Sequence, residues 1–329
     1  MFSGPSEVLS ARRAMVTRAL KTAVDPMASV ESIDHVSGGN SRETWICETT
    51  LHGAAKRVVF RCDPDHWIRP KVMRREICGL RLAAKAGVPA PRLIVSSEEC
   101  DIGRPYVITD HVAGTAIARR VLRDDTYDRA RRRFAAQCGE ILARLHRAVA
   151  DADGWEPYDP IAELHGYASD SAFPSPTLLG AVRWLEEHRP PSPTRVAPVH
   201  RDFRLGNLMI DEAGIVAVLD WETCQLGDPE EDLAWLCSRS WRYGEGLPVG
   251  GIGSMNELLD AYERSSGRKV DHERLQWWSV FAETRWGLAG TVRQRGGSPG
   301  EAMEQAAIIR RGCRQEHNVL LELKQYVQR

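Results

Sequence analysis

Residues 198–237 read PVHRDFRLGNLMIDEAGIVAVLDWETCQLGDPEEDLAWLC. Within them His200, Asp202 and Asn207 form the pattern H-x-D-x-x-x-x-N, and Asp220 follows thirteen residues after the Asn. In a chain of this composition such a match is expected by chance about 0.01 times. Leu208–Ile210, the turn Asp211–Gly214 and Ile215–Leu219 read as a β-hairpin. A hairpin returns its second arm beside its first, so the Asp220 carboxylate is expected next to the Asn207 side chain.

Phosphoryl transfer from ATP calls for these groups. The phosphates carry high negative charge, and Mg²⁺ must be held there by hard oxygen ligands. The amide oxygen of Asn207 and the carboxylate of Asp220 are the candidate metal ligands. A separate carboxylate must align the acceptor hydroxyl and take its proton, and Asp202, across a short loop, is the candidate base. Arg204 has two readings: it neutralises the transferred phosphoryl group, or it pairs with an acid nearby.

Upstream of this stretch the chain is rich in strands. A helix over 6–23 precedes strands at 33–36, 44–50 and 57–61, then a helix over 71–86 and strands at 92–97 and 106–109. Gly87 and Pro89 stop the second helix. Beyond a linker near Gly114 the pattern turns helical, at 128–149, 175–188, 230–238, 255–265, 272–290 and 300–327. The order gives an α+β, two-lobed layout with a cleft between the lobes, residues 1–112 forming a nucleotide-binding lobe and 113–329 a catalytic and substrate-binding one.

Composition narrows the class. The 329 residues are 43% apolar and 27% charged, which excludes a disordered chain, a fibre and a disulfide-stapled miniprotein. No apolar run is long enough to span a bilayer, and the start MFSGPSEVLSARRAMV lacks the apolar core of a secretory signal, so a cytoplasmic location without membrane partners is expected. Eight scattered cysteines include no C-x-x-C pair and read as small hydrophobes in a reducing compartment. The net charge of −1 offers no basic excess for nucleic acid. The first lobe is net basic by three and the second net acidic by four, a faint pointer to a cationic acceptor. No oligomeric state is read from these features.

The run HRDFRLGNLM, then VLDWE, then GDPEEDLAWL resembles the aminoglycoside phosphotransferase superfamily of kinase-like small-molecule phosphotransferases. It is similar in particular to the branch related to the kinase-like domain fused to some acyl-CoA dehydrogenases. The resemblance implies a protein-kinase-like fold: an N-terminal five-stranded antiparallel sheet with one main helix, and a mostly helical C-terminal lobe. It implies ATP and Mg²⁺ as cofactors, a small-molecule hydroxyl as acceptor, Asp202 as base, and Asn207 and Asp220 as metal ligands. His200 resembles the residue that braces the catalytic loop, and Asp232 a buried structural Asp. By the same resemblance Ser37, Gly38, Gly39, Asn40 and Ser41 form the phosphate-covering turn, with Asn before Ser where relatives have the reverse. Arg61 stands at the phosphate-binding Lys position of the third strand, with Glu76 its helix partner or a plain surface residue. Asp110, His111 and Val112 form the hinge that meets adenine through its backbone.

A protein kinase is a weaker reading, because Trp-Glu follows Asp220 and only seven residues separate it from Asp228, which leaves no room for an activation loop. Two alternatives stay open: a nucleotide-binding pseudokinase-like regulator, and a kinase of a hydroxyacyl thioester. His146 reads as a structural histidine. Trp277 and Trp278 read as core or as lining of an acceptor pocket.

Overall fold

A computed structural model of the chain describes residues 5–36, 42–65, 67–98, 102–150, 155–171, 175–192, 196–292 and 312–327. It divides into two compact units: Met1–Ala113 with Ala217–Thr223, and Gly114–Val216 with Cys224–Arg329.

In the first unit, α1 (Pro5–Ala23) precedes β1 (Ser29–His35), β2 (Glu43–Leu51) and β3 (Ala54–Cys62). Then come α2 (Pro70–Ala86), β4 (Leu93–Ser97) and β5 (Tyr106–Asp110). The strands make one antiparallel sheet in the order β1-β2-β3-β5-β4. Alternation decides what each face meets. Val58, Phe60 and Cys62 of β3, with Trp45, Cys47, Tyr106 and Ile108, bury one face against Val16 and Leu20 of α1. Burying a side chain such as Phe60 contributes about 1.5–3 kcal/mol. Val107 points the opposite way and packs on Met73 and Ile77 of α2. The same alternation sets Arg61, between Phe60 and Cys62, on the face that α2 covers. Pro70 opens α2, and Gly87 closes it in the left-handed conformation, its N–H donated to the carbonyls of Ala83 and Ala84. The stretch Ala217–Thr223 is tied to this unit by the Val218 N–H, donated to the Pro89 carbonyl at 2.8 Å.

The second unit is mainly helical. It holds α3 (Ala118–Arg123), α4 (Asp128–Arg147), α5 (Pro160–Asp170) and α6 (Pro176–Glu187). Short strands β6 (Ala197–Val199) and β9 (Gln225–Gly227) pair with each other, and β7 (Leu208–Ile210) pairs with β8 (Ile215–Val218). The remaining α-helices among the described residues are α7 (Pro229–Cys237), α8 (Met255–Ser266), α9 (His272–Ala289) and α10 (Gly312–Val327). α4 and α8 approach backbone to backbone at Gly139, where a Cβ would lie 2.5 Å from the Leu258 carbonyl oxygen. Only glycine permits that approach. Trp277 and Trp278 are 2% and 4% exposed, and the indole N–H of Trp277 is donated to the Leu185 carbonyl. Both are therefore core residues. Among the described residues no helix is long and apolar enough to cross a membrane.

Candidate active site

The loop after β6 is held from below by one carboxylate. Asp232, on α7 and fully buried, accepts the N–H of His200 through Oδ2 and the N–H of Arg201 through Oδ1, each at 2.7 Å. His146 Nε2 reaches the same Oδ2 at 3.1 Å, and its Nδ1 meets the Tyr262 hydroxyl at 2.9 Å. A carboxylate only accepts, so Nε2 carries the proton in this pair. Burial alone would push the Asp232 carboxyl up, but the His146 hydrogen bond and charge, together with His200, hold it below its usual range. His146 thus fulfils the structural role expected of it.

This anchoring forces an uncommon backbone. Arg201 takes φ 67°, in the left-handed region. Its side chain is buried, paired with Glu163 of α5 and with Glu231 (2.9 Å), and its guanidinium lies 3.8 Å from the Tyr158 ring centre. Arg285 donates to the Arg201 carbonyl at 2.9 Å and pairs with Glu163 at 3.3 Å. Burial would raise the Glu163 carboxyl, yet Arg285 and Arg201 pull it down to about 2.

At the tip of the loop three expected residues converge. Asn207 Nδ2 donates to Asp202 Oδ2 at 2.6 Å and to the Asp202 carbonyl at 2.9 Å. Arg204 Nε donates to Asp202 Oδ1 at 3.0 Å, so Arg204 does pair with an acid, and that acid is the candidate base itself. The Asp202 N–H is donated to His200 Nδ1 at 3.2 Å, which is the bracing contact expected of His200. One further donor was not read from the sequence. The indole N–H of Trp235, three residues after Asp232, is donated to Asp202 Oδ1 at 2.8 Å. Trp241 and Trp286 pack on Trp235, Arg285 lies 4.7 Å over its ring, and Arg204 lies 4.6 Å over Trp241. The quoted DLAWL stretch contains Trp235, but only helical phase relative to Asp232 could have aimed it at the loop.

The first unit assembles the other group. Arg61 pairs with Glu76 through Nη1 and with Asp220 Oδ1 through Nη2 at 3.1 Å. Glu76 is 2% exposed, so it is a buried partner and not a surface residue. Asp220 takes φ 64°, in the left-handed region like Arg201. Arg42, unread in the sequence, sits in the same cluster with a fully buried side chain, and pairs with Asp63 (3.3 Å), Glu76 and Glu222 (3.6 Å). Burial, with Arg61 close by, lowers its guanidinium to about 10.

The expected hinge residues Asp110, His111 and Val112 lie at the end of β5 and just beyond it. Asp110 opposes Val58 in the sheet whereas Val107 opposes Arg61. The Asp110 side chain pairs with Lys56 (2.9 Å) and Arg92 (2.8 Å). The N–H groups of Asp110 and His111 are donated within the unit, to the carbonyls of Arg92 (2.9 Å) and Arg57 (3.3 Å). The turn of Ser37, Gly38, Gly39, Asn40 and Ser41 lies outside the described residues.

Among the described residues no cluster of three or more His, Cys, Asp or Glu side chains is placed to hold a metal. The donor chemistry of the expected pair still fits a hard divalent cation. Asn207 commits its amide nitrogen to Asp202, which leaves its oxygen as the ligating atom, and Asp220 offers a carboxylate with 30% of its side chain exposed.

The five-stranded sheet with its helix, followed by a helical unit whose loop carries H-x-D-x-x-x-x-N, is the architecture of a protein-kinase-like phosphotransferase. The chain belongs to the phosphotransferase enzyme family, whose model matches residues 32–278. It is similar to a solved Ralstonia eutropha protein assigned to the aminoglycoside phosphotransferases, at 20% identity and TM-score 0.71, over 96% of this chain and 98% of that one. The choline kinase LicA of Streptococcus pneumoniae aligns at 16% identity and TM-score 0.62, over 96% of this chain and 99% of that one. These two likenesses are of fold. The Rattus norvegicus acyl-CoA dehydrogenase family member 11 is 27% identical over 293 residues, which is 80% of this chain and 36% of that protein. The chain spans 18% to 36% of the length of the acyl-CoA dehydrogenase family members 10 and 11 that it matches.

Proposed function

We propose that the protein is an ATP- and Mg²⁺-dependent small-molecule kinase that moves the γ-phosphate to a hydroxyl. The observation that carries this reading is the Asp202 carboxylate, gripped by Asn207 Nδ2, Arg204 Nε and Trp235 Nε1. Asp202 aligns the acceptor hydroxyl and receives its proton as the oxygen attacks phosphorus in line. Arg204, already bonded to that carboxylate, brings positive charge to the transferred group. Asn207 and Asp220 would hold Mg²⁺, which when bound neutralises charge on the phosphate oxygens. Arg61 would turn its guanidinium to the phosphates, a planar fork suited to them. With the N–H groups of Asp110 and His111 engaged elsewhere, Val112 is the hinge N–H assigned to adenine. The lobes of this reading are residues 1–112 for the nucleotide and 113–329 for catalysis and the acceptor.

For the acceptor, one kinship supports a class. Similarity to acyl-CoA dehydrogenase family member 11 over 80% of this chain favours a hydroxyacyl thioester over an aminoglycoside. The test measures ADP release from Mg-ATP with hydroxyacyl thioesters, aminoglycosides and other hydroxylated metabolites as acceptors. Acceptor-stimulated release supports the kinase reading, and the stimulating class names the acceptor. ATP binding without stimulated release by any acceptor would replace it with a pseudokinase-like regulator.

A further inference from the structure

We infer that Arg42 is a positioning residue for nucleotide binding: it holds Glu76 and Glu222 in place while Arg61 exchanges Asp220 for phosphate. The inference rests on the kinase reading and concerns only residues of the first unit.

Arg61 is doubly committed, one arm on Glu76 and one on Asp220 at 3.1 Å. For Arg61 to meet phosphate and for Asp220 to meet a cation, the contact between them must open. That movement draws Arg61 away from Glu76, whose side chain is 2% exposed. A buried carboxylate that loses its cation is strongly disfavoured. Arg42 removes that obstacle, because it binds the other oxygen of Glu76. Its remaining contacts fix it in place: Asp63, itself fully buried, at 3.3 Å and Glu222 at 3.6 Å. Glu222 lies two residues after Asp220, so the same guanidinium ties α2 to the segment that carries the proposed metal ligand. Guanidinium geometry suits this place: Nη1 meets Glu76 while Nε lies 3.3 Å from Asp63 and 3.6 Å from Glu222, a span of two nitrogens that a single ammonium lacks.

Calorimetric titration of the full chain with ATP, with and without Mg²⁺, tests this directly. Arg42→Gln is expected to weaken ATP binding on the order of tenfold, with the KM for ATP rising and the acceptor KM unmoved. Arg42→Lys recovers part of that loss. In an Arg61→Ala background, Arg42→Gln is expected to add little, because Arg42 acts through Arg61. If Arg42→Gln does not fold, Glu222→Gln reports instead, with a smaller weakening and the same lack of additivity. Wild-type affinity in the folded variant overturns the inference alone, as does full additivity with Arg61→Ala or a change confined to thermal stability. A wild-type chain that binds no ATP overturns the kinase reading, and this inference with it.

Discussion

The two units hold their expected site residues by different means. In the first, Arg61 and Asp220 are restrained by ion pairs, with Arg42 and Glu76 packed behind them. Ion pairs can trade partners at little cost when a new charge arrives. In the second, Asp202 has one ion pair, with Arg204, but is fixed chiefly by neutral directional donors, an indole N–H and an amide, on a loop whose backbone is tied to Asp232. Such a carboxylate keeps one orientation. On the proposed kinase reading, the contrast is a division of labour: exchangeable charge on the side of the nucleotide, and fixed geometry at the proposed base.

Four measurements break or sharpen that contrast. Asp202→Ala removes the proposed base, and acceptor-stimulated ADP release is expected to fall by about 10²–10⁴-fold with ATP affinity retained; full activity would end the assignment. Asp232→Ala leaves the N–H groups of His200 and Arg201 buried without an acceptor, each costing about 1–3 kcal/mol. Thermal and denaturant melts should show the loss, and turnover should fall with it. Trp235→Phe keeps an aromatic ring, though a smaller one, and deletes one donor to a charged group, so kcat is expected to drop roughly tenfold at unchanged KM for ATP. An unchanged kcat would mean that the indole only packs.

The smallest effect concerns pH. Glu163 is held down to about 2 from an ordinary 4.5 by Arg285 and Arg201, against the opposing effect of burial. A lowered carboxyl contributes stability that is complete above about 4.5 and lost as pH falls towards about 2. The thermal midpoint should therefore decline over that window. Glu163→Gln should lower it at neutral pH and make the acid decline shallower.

Most of the fold was legible because it is written in local periodicity. The alternating strands and the long amphipathic helix α4 announce themselves in consecutive residues. α5 did not, since only Pro160, Ile161 and Leu164 of its eleven residues are buried, and its clearest signal is Asp159 capping the helix with Pro160 following. The three-residue β9 is too short for any pattern. The site divides the same way. His200, Asp202 and Asn207 lie within eight residues, and their spacing shows in the sequence. Trp235 and Arg42 act across 33 and 34 residues, to Asp202 and Glu76, and such contacts exist only after folding. Glu163 matters through Arg201, a buried pairing that neither residue's neighbours announce.

Arg201 and Asp220 both hold left-handed backbones that cost a residue with a Cβ roughly 1–2 kcal/mol. Glycine would adopt either conformation freely. Selection of variants for heat resistance alone would thus favour Arg201→Gly less, since its side chain is buried between two carboxylates, and Asp220→Gly more, since its pair with Arg61 is partly exposed and holds less stability. A thermostability campaign on this chain therefore needs a catalytic counter-screen at position 220, where the sturdier protein is expected to be the inert one.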